Sequence, residues 1–293
     1  KAYVLTALES GSPSLPSQLA YTLNGGGSWD YDSISSLSTL AGNALAQIGS
    51  RIVVVSQTDL AHHHKQQSSI DDGTSGGWSR VSSGYVATKG PRAIWSKSPS
   101  QTYIAAAGGY IYFMGNPTAA VTVLSDGSVT TQNLNDIRGM GRTIVVVGAN
   151  NAIAHSPNGG DTWALVTGPA IGVALTTVEV VNSRTWFVGA ANGKSFYTVN
   201  AGESWTEYTP DSNASTVNKI RFVNELVGYM VVEVSGAARV YRTADTGYSW
   251  HYDGSYVGNV PTAEQLNFIV PCPNNYNVAL AGGVVTAGGD GIL

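Results

Sequence analysis

The chain has 293 residues and a formal net charge of −4, and 43% of its residues are hydrophobic while only 12% are charged. This composition is typical of a globular protein with a sizeable core, and it excludes a disordered chain and a basic nucleic-acid-binding domain. The single cysteine, Cys272, excludes an internal disulfide and a cysteine-rich metal site, and since no apolar run reaches the roughly 18 residues of a transmembrane helix we expect no membrane insertion.

Short β-rich runs separated by Asn, Gly and Ser predict successive groups of four antiparallel strands. In chain order, the clearest groups cover residues 92–124, 136–166, 178–208 and 219–252. The breaks between the runs are typical of tight turns, and no amphipathic helix longer than two turns is predicted. The sequence therefore predicts an all-β protein.

Five tryptophans reveal an internal repeat. Their successive separations are 49, 85, 42 and 45 residues, and the longest is two periods with one tryptophan missing. A period of about 42 to 49 residues is typical of one four-stranded blade of a β-propeller. The repeated tryptophans are Trp29, Trp78, Trp163, Trp205 and Trp250.

Each tryptophan closes a phrase of the form Ser/Thr-x-Asp/Asn-x-Gly-x-Ser/Thr-Trp, with four clean copies and one in which Trp78 comes two residues late. The phrase resembles the Asp box, or BNR repeat, of sialidases, Vps10 domains, xyloglucanases and the photosystem II assembly factor family. The resemblance implies a β-propeller. The residues that carry it are Asn24, Gly26 and Trp29; Asp71, Gly73 and Trp78; Asn158, Gly160 and Trp163; Asn200, Gly202 and Trp205; and Asp245, Gly247 and Trp250.

The chemistry of the phrase predicts a structural hairpin turn. The Asn or Asp side chain can accept hydrogen bonds from backbone N–H groups of the turn. The glycine adopts a positive φ without steric cost, and the tryptophan ring packs beneath the turn. We therefore expect these residues to hold the fold together rather than to bind a ligand.

Residues 1–293 are predicted to form one propeller domain, and truncation of that domain at one or both ends is the alternative. At about 42 residues per blade the chain holds seven blades. If the runs 2–8 and 276–286 share one blade, the count falls to six.

The first strands of the repeats carry a polar column formed by Arg138, Glu179, Arg221 and Asn267. One interpretation is an Arg–Glu–Arg ion network between neighbouring blades. The other is a binding patch similar to the inner-strand arginines of the photosystem II assembly factor family, although Glu179 and Asn267 interrupt it.

Catalysis has weaker support in the sequence. A glycoside hydrolase needs two carboxylates, and Asp136 and Glu179 lie near the first strands of adjacent repeats. The arginine triad and Arg-Ile-Pro phrase of sialidases are absent. His62 and His64 would share one side of a strand and could bind a metal with Asp59, but a solvent-facing strand is the simpler interpretation. We expect no cofactor.

These features predict a non-catalytic binding or structural propeller outside the cytoplasm, as in a phage virion or a secreted adhesion or assembly module. The low charge and the polar composition favour an extracellular, periplasmic or virion-surface location. The expected partner is a protein in an assembly or a surface glycan, which the aromatic residues Tyr31, Tyr208, Tyr252 and Tyr256 could contact. The alternatives are an Asp-box glycoside hydrolase and a protein-binding propeller similar to the photosystem assembly factor.

Overall fold

The fold is described by a computed structural model. Its secondary structure consists of β-strands and two 3-10 segments, Ala107–Gly109 and Ala149–Asn151, and the described residues contain no α-helix. The prediction of an all-β protein is confirmed. The structure describes residues 2–6, 18–22, 28, 30–33, 42–48, 51–56, 62–66, 79–81, 84–86, 88–116, 120–252, 264–271 and 279–285.

The chain divides into two compact units, Lys1–Leu134 and Asn135–Leu293. The first unit contains one three-stranded and two four-stranded antiparallel sheets, here named A, B and C. Sheet A consists of β1 (Ala2–Thr6), β2 (Gln18–Thr22) and β3 (Asp30–Ser33). Sheet B consists of β4 (Gly42–Ile48), β5 (Arg51–Ser56), β6 (His62–Gln66) and β7 (Ser79–Val81). Sheet C consists of β8 (Pro91–Ser98), β9 (Gln101–Ala106), β10 (Tyr110–Met114) and β11 (Thr122–Asp126).

The second unit contains three four-stranded antiparallel sheets, D, E and F, and a two-stranded sheet, G. Sheet D consists of β12 (Leu134–Met140), whose first residue ends the first unit, β13 (Thr143–Gly148), β14 (Ile153–Ser156) and β15 (Ala164–Leu165). Sheet E consists of β16 (Leu175–Val180), β17 (Trp186–Ala190), β18 (Ser195–Thr198) and β19 (Thr206–Tyr208). Sheet F consists of β20 (Ala214–Phe222), β21 (Gly228–Val234), β22 (Ala237–Thr243) and β23 (His251–Tyr252), and sheet G of β24 (Glu264–Pro271) and β25 (Ala279–Val285).

The four predicted strand groups are confirmed as sheets C, D, E and F, with strand ends shifted by a few residues. Within each, the strands pair in chain order with their sequence neighbours. The described residues form seven sheets, but whether these amount to six or seven blades stays a prediction, as does the single domain.

The second strands of sheets B to F supply much of the core. All six residues of β13 and all five of β17 are buried. They are buried on both faces because neighbouring sheets pack against them, which explains why runs such as Thr143-Ile-Val-Val-Val147 are continuously apolar rather than alternating. One core cluster joins Val145 and Val147 of sheet D to Trp186 of sheet E. The fourth strands β15 and β23 are exposed.

A β-bulge recurs in the first strand of the sheets. In each case one residue is skipped in the pairing between the first and second strands. A bulge redirects the side chain of the extra residue, so these side chains can reach beyond their own sheet. The skipped residues are Asn43 in sheet B, Arg92 and Lys97 in sheet C, Thr176 in sheet E, Ser215 and Asn218 in sheet F, and Asn267 in sheet G.

Polar side chains at this level connect each sheet to the next within a unit. In the first unit, Asn43 Nδ2 donates to the Pro91 carbonyl of sheet C at 3.0 Å. In the second unit the same type of bond runs from sheet D to E, from E to F and from F to G. The donors and acceptors are Asn135 to Leu175 at 2.8 Å, Thr176 to Val217, and Asn218 to Leu266 at 2.8 Å.

Candidate functional site

Three turns of the second unit share one hydrogen-bonding pattern. The Asn158, Asn200 and Asp245 Oδ1 atoms each accept a bond of 3.0 Å from the backbone N–H four residues later. In each turn a Ser or Thr hydroxyl also accepts from the glycine N–H, at 2.8 to 2.9 Å. These glycines, Gly160, Gly202 and Gly247, have φ values of 94°, 89° and 81°.

The tryptophans that close these turns do not all pack alike. Trp163 Nε1 donates to the Gly160 carbonyl and Trp250 Nε1 to the Gly247 carbonyl, both at 3.1 Å and both within the same turn. Trp205 Nε1 donates instead to Thr167, at 3.0 Å. Trp250 is buried, whereas Trp163 and Trp205 are half-buried. The corresponding earlier residues Asn24, Gly26, Trp29, Asp71, Gly73 and Trp78 lie outside the described residues.

Each of these third-to-fourth-strand turns is bonded to the first-to-second-strand turn of its own sheet. Gly159 N donates to Arg142 O at 2.7 Å, Ala201 N to Arg184 O at 2.9 Å, and Thr246 N to Leu226 O at 3.0 Å. The two kinds of turn therefore lie at the same end of each sheet. We call the six turns of sheets D, E and F, residues 140–142, 157–162, 181–185, 199–204, 223–227 and 244–249, the turn face.

A charged cluster connects the first strands of these three sheets, with Asp136 at its centre. Asp136 is buried, and its Oδ2 accepts from the Thr177 hydroxyl at 2.9 Å and from the Val178 N–H at 3.1 Å, both in sheet E. The same oxygen lies 3.3 Å from Lys219 Nζ and 3.3 Å from Arg221 Nη2, both in sheet F. Thus one carboxylate oxygen of sheet D contacts two neighbouring sheets.

Arg221 and Glu179 extend the cluster. Arg221 Nη1 lies 3.3 Å from Glu179 Oε2 and also donates to the backbone carbonyls of Val178 and Ile220, at 3.1 Å and 2.6 Å. Arg138 Nε lies 3.7 Å from the same Glu179 oxygen. The structure therefore brings Arg138, Glu179 and Arg221 into contact, and the three cations exceed the two carboxylates of the cluster by one charge.

Burial and charge act against each other in this cluster. Burial disfavours the charged form of Asp136, but Lys219, Arg221 and Arg138 outweigh it and hold the pKa of Asp136 well below its usual range. Burial raises the pKa of Glu179, although Arg221 and Arg138 oppose the change. Burial also lowers the pKa of Lys219 to about 8, despite the neighbouring Asp136. Asp136 is therefore ionised at neutral pH and cannot serve as a proton donor there.

Asn267 does not belong to this cluster, which corrects the predicted polar column. The bulge in β24 falls at Asn267, as the bulge in β20 falls at Asn218. Asn267 is therefore equivalent to Asn218, and the exposed Val270 takes the place equivalent to Arg221. The predicted column placed Asn267 three residues out of step, because the bulge that aligns it with Asn218 was not recognised.

A cleft of about 530 Å³ opens beside the cluster on the turn face. Glu179 contributes to its lining, together with the turns of sheets D, E and F that follow their first strands. The volume lies within the range of ligand-binding clefts. Most of the lining is apolar and includes Met140, Pro157, Val181, Phe222 and Val223.

Other predicted site residues have no role that the structure reveals. His62 and His64 lie on β6, but their side chains, like Asp59, Cys272 and Tyr256, fall outside what is described, as does the side chain of Tyr31. Tyr208 is half-buried and its hydroxyl donates to Trp250 O at 3.1 Å. Tyr252 is exposed, with the Arg239 guanidinium 5.2 Å from its ring centre. The described side chains include no group of three metal-binding residues, and no helix in the described ranges is long and apolar enough to cross a membrane.

Comparison with solved structures gives the fold class. YCF48 from Cyanidioschyzon merolae is similar with a TM-score of 0.64 and 13% identity, over 93% of this chain and 93% of that protein. A second YCF48 structure, bound to D1 peptide, gives a TM-score of 0.68 and 15% identity, over 92% and 89%. An ancestral GH74 enzyme gives a TM-score of 0.63 and 13% identity, over 95% of this chain but only 36% of that one.

No protein-family model matches the chain, and no curated protein matches its sequence. At these identities the structural likeness shows the fold alone. The fold is an all-β propeller with four-stranded antiparallel sheets.

Proposed function

We propose that this chain is a non-catalytic propeller that binds a protein partner. The observation that carries the proposal is the state of Asp136, one of the two candidate catalytic carboxylates. It is buried and its Oδ2 has four donors, so it can neither protonate a leaving group nor reach a substrate. The fold of YCF48, which has been solved bound to a peptide, supports protein binding by a propeller of this kind.

We further infer that the three turns containing Asn158, Asn200 and Asp245 are Asp boxes with a structural role. Their side-chain oxygens already accept hydrogen bonds from backbone N–H groups of the turns. The low share of charged residues, 12%, supports a location outside the cytoplasm, on a virion or in a secreted assembly. A protein-binding role similar to that of a photosystem assembly factor is compatible with the same surface.

A second candidate function is glycoside hydrolysis, and one observation favours it. Glu179 lines a cleft of about 530 Å³ and has a raised pKa, as a general acid requires. Its carboxylate, however, already contacts Arg221 and Arg138. Of the predicted pair, Asp136 is inaccessible, so a hydrolase would have to use another carboxylate beside Glu179, such as Glu225 of the same cleft.

Two parallel screens of the purified chain test these functions. A library of displayed peptides should yield peptides that bind the chain saturably in solution. A glycan array examined by mass spectrometry should show that no sugar has been cleaved. Sugar cleavage that disappears in Glu179→Gln would replace the proposal by the hydrolase. Glycan binding without cleavage, together with no peptide binder, would identify a carbohydrate-binding module instead.

A further inference from the structure

The turn face carries exposed apolar side chains, one of which, Tyr248, also packs edge-on against Tyr197 of sheet E. Leu226 is 57% exposed and Tyr248 is 64% exposed, on two turns of sheet F that are joined by the Thr246–Leu226 backbone bond. Met140 and Val199 add two more exposed apolar side chains, on sheets D and E. Apolar groups clustered at one end of a folded unit are typical of protein interaction surfaces.

The cleft lies among these turns. Met140 stands at its edge, and Phe222, Val223 and Glu225 lead from its wall directly to Leu226. The cleft is therefore continuous with the exposed apolar side chains of sheet F. A large apolar side chain of a partner would remove both the cleft wall and Leu226 from water, which is the main source of affinity at such sites.

The charge of the turn face indicates which residues of the partner should flank this apolar side chain. The six turns carry four exposed carboxylates and two exposed guanidinium groups, and Arg142 lies 3.6 Å from Asp161. Within the described part of the chain, neither Glu203 nor Glu225 has an ion-pair partner. The exposed charge of the turn face as a whole is thus mostly negative, and a partner with positive charge is favoured.

The floor of the cleft does not favour a positively charged side chain of the partner. Glu179 is already in contact with Arg138 and Arg221, so a Lys or Arg entering the cleft would meet two guanidinium groups. The basic residues of the partner therefore belong at the rim beside Glu225 and on the turn that carries Glu203, and the apolar residue belongs in the cleft.

We propose that the turn face of sheets D, E and F binds a segment of a partner protein that presents a large apolar side chain flanked by Lys or Arg. This inference rests on the proposed function and specifies where on the propeller the partner binds and which chemistry it presents.

The test uses synthetic peptides with a central Leu, Phe or Trp and flanking Lys, Ser or Glu, measured by fluorescence anisotropy against the full chain. Lys-flanked peptides should bind, and their Glu-flanked counterparts should bind at least about tenfold more weakly. Leu226→Lys, Tyr248→Ala and Glu225→Lys should each weaken binding of the best Lys-flanked peptide by about tenfold.

Two equally exposed residues on outer strands provide matched controls. Leu165 on β15 is 61% exposed and Tyr252 on β23 is 48% exposed. Leu165→Lys and Tyr252→Ala should leave peptide affinity unchanged, and circular dichroism should show that all five variants fold. If library peptides bind but the turn-face variants bind them as tightly as the controls do, the turn face is not the site, although the proposed function stands. If no peptide of any charge binds in either screen, the proposed function itself fails.

Discussion

Arg221 and Asp136 are 85 residues apart in the sequence, yet Arg221 Nη2 lies 3.3 Å from Asp136 Oδ2 in the interior of the second unit. The two residues belong to sheets F and D, and sheet E contributes the Thr177 hydroxyl and the Val178 N–H to the same oxygen. A single carboxylate therefore links three consecutive sheets. Since the groups that meet at this oxygen come from parts of the chain that are distant in sequence, their contact depends on correct packing of all three sheets.

Replacing Arg221 by Ala should destabilise the protein severely. The change removes a cation that contacts both Asp136 and Glu179, although Lys219 and Arg138 remain beside them. Breaking a buried ion pair by removing one partner typically costs about 3–5 kcal/mol. Urea unfolding followed by tryptophan fluorescence measures this loss.

Arg142→Ala is the matched control for this prediction. Arg142 also has a carboxylate partner, Asp161, but their side chains are 71% and 72% exposed and the atoms are 3.6 Å apart. An exposed ion pair contributes about 0–1 kcal/mol, so the control should unfold almost as the parent does. Equal losses in the two variants would show that the Asp136 cluster does not hold the sheets together.

Lys219 should make stability increase with pH in a window where most proteins show little change. Its pKa of about 8 in the folded chain is below the value of about 10.4 expected in the unfolded chain. Between these values the unfolded chain binds more protons, so the free energy of unfolding rises as the pH rises through the folded pKa. Urea unfolding at about pH 7.5, 8.5 and 9.5 measures this increase.

Lys219→Met isolates the contribution of this one amine. The variant keeps the length of the side chain but cannot titrate, so its free energy of unfolding should lack the additional rise between about pH 8 and 9.5. Tyr112, Tyr208 and Tyr241 have raised pKa values and act in the opposite direction near pH 10, which sets the upper limit of the window. Parallel pH profiles for parent and variant would contradict the prediction.

The sequence predicted the sheets well because each repeat contains its own local signals. The strand runs, the turn residues and the tryptophan period all lie within one blade, and sheets C to F follow them. The column of Arg138, Glu179 and Arg221 also emerged, since equivalent positions of successive repeats face one another.

The remainder of the site depended on geometry that no local pattern encodes. Lys219 and Thr177 occupy the positions equivalent to Asp136 in their own repeats and contact it. Because Asp, Thr and Lys share no motif, the sequence did not predict that these three side chains are in contact. Asn267 was misplaced by three residues because the bulge in β24, which aligns it with Asn218, was not recognised. A polar residue, such as Asn218 or Asn267, directly before the part of each first strand in which buried and exposed side chains alternate is the signal that would have located these bulges.

Gly247 should not tolerate a side chain. Its φ is +81°, and a Cβ atom there would lie 2.5 Å from the Phe187 ring. Gly247→Ala therefore combines backbone strain of about 1–2 kcal/mol with overpacking of about 1–3 kcal/mol. We expect a loss of about 3 kcal/mol in the free energy of unfolding.

Gly159→Ala separates strain from overpacking. Gly159 has nearly the same φ, +80°, but no atom lies within 4 Å of its added Cβ. Ala201 occupies the equivalent place in sheet E with a φ of 59°, so an alanine can adopt this conformation. The control should lose only about 1 kcal/mol. Equal losses for Gly247→Ala and Gly159→Ala would mean that the Phe187 ring moves aside freely.

His155 lies against the buried Trp186, with ring centres 4.6 Å apart, and its buried Nε2 has no hydrogen-bond partner among the described residues. Burial lowers the pKa of His155. The folded chain thus binds this proton less readily than the unfolded chain, whose histidine pKa is about 6.5. The contribution of His155 to stability is present above that value and is lost as the pH falls through the range below it.

His155→Phe should remove this acid sensitivity, because phenylalanine fills similar space against Trp186 and carries no proton. The parent should lose more free energy of unfolding than the variant between about pH 7.5 and 5, by urea unfolding at both values. Comparison with the variant is essential because Glu179, with its raised pKa, acts in the opposite direction: its contribution is present at low pH and declines as the pH rises. An equal loss in both proteins would show that His155 gains a proton without disturbing its contact with Trp186.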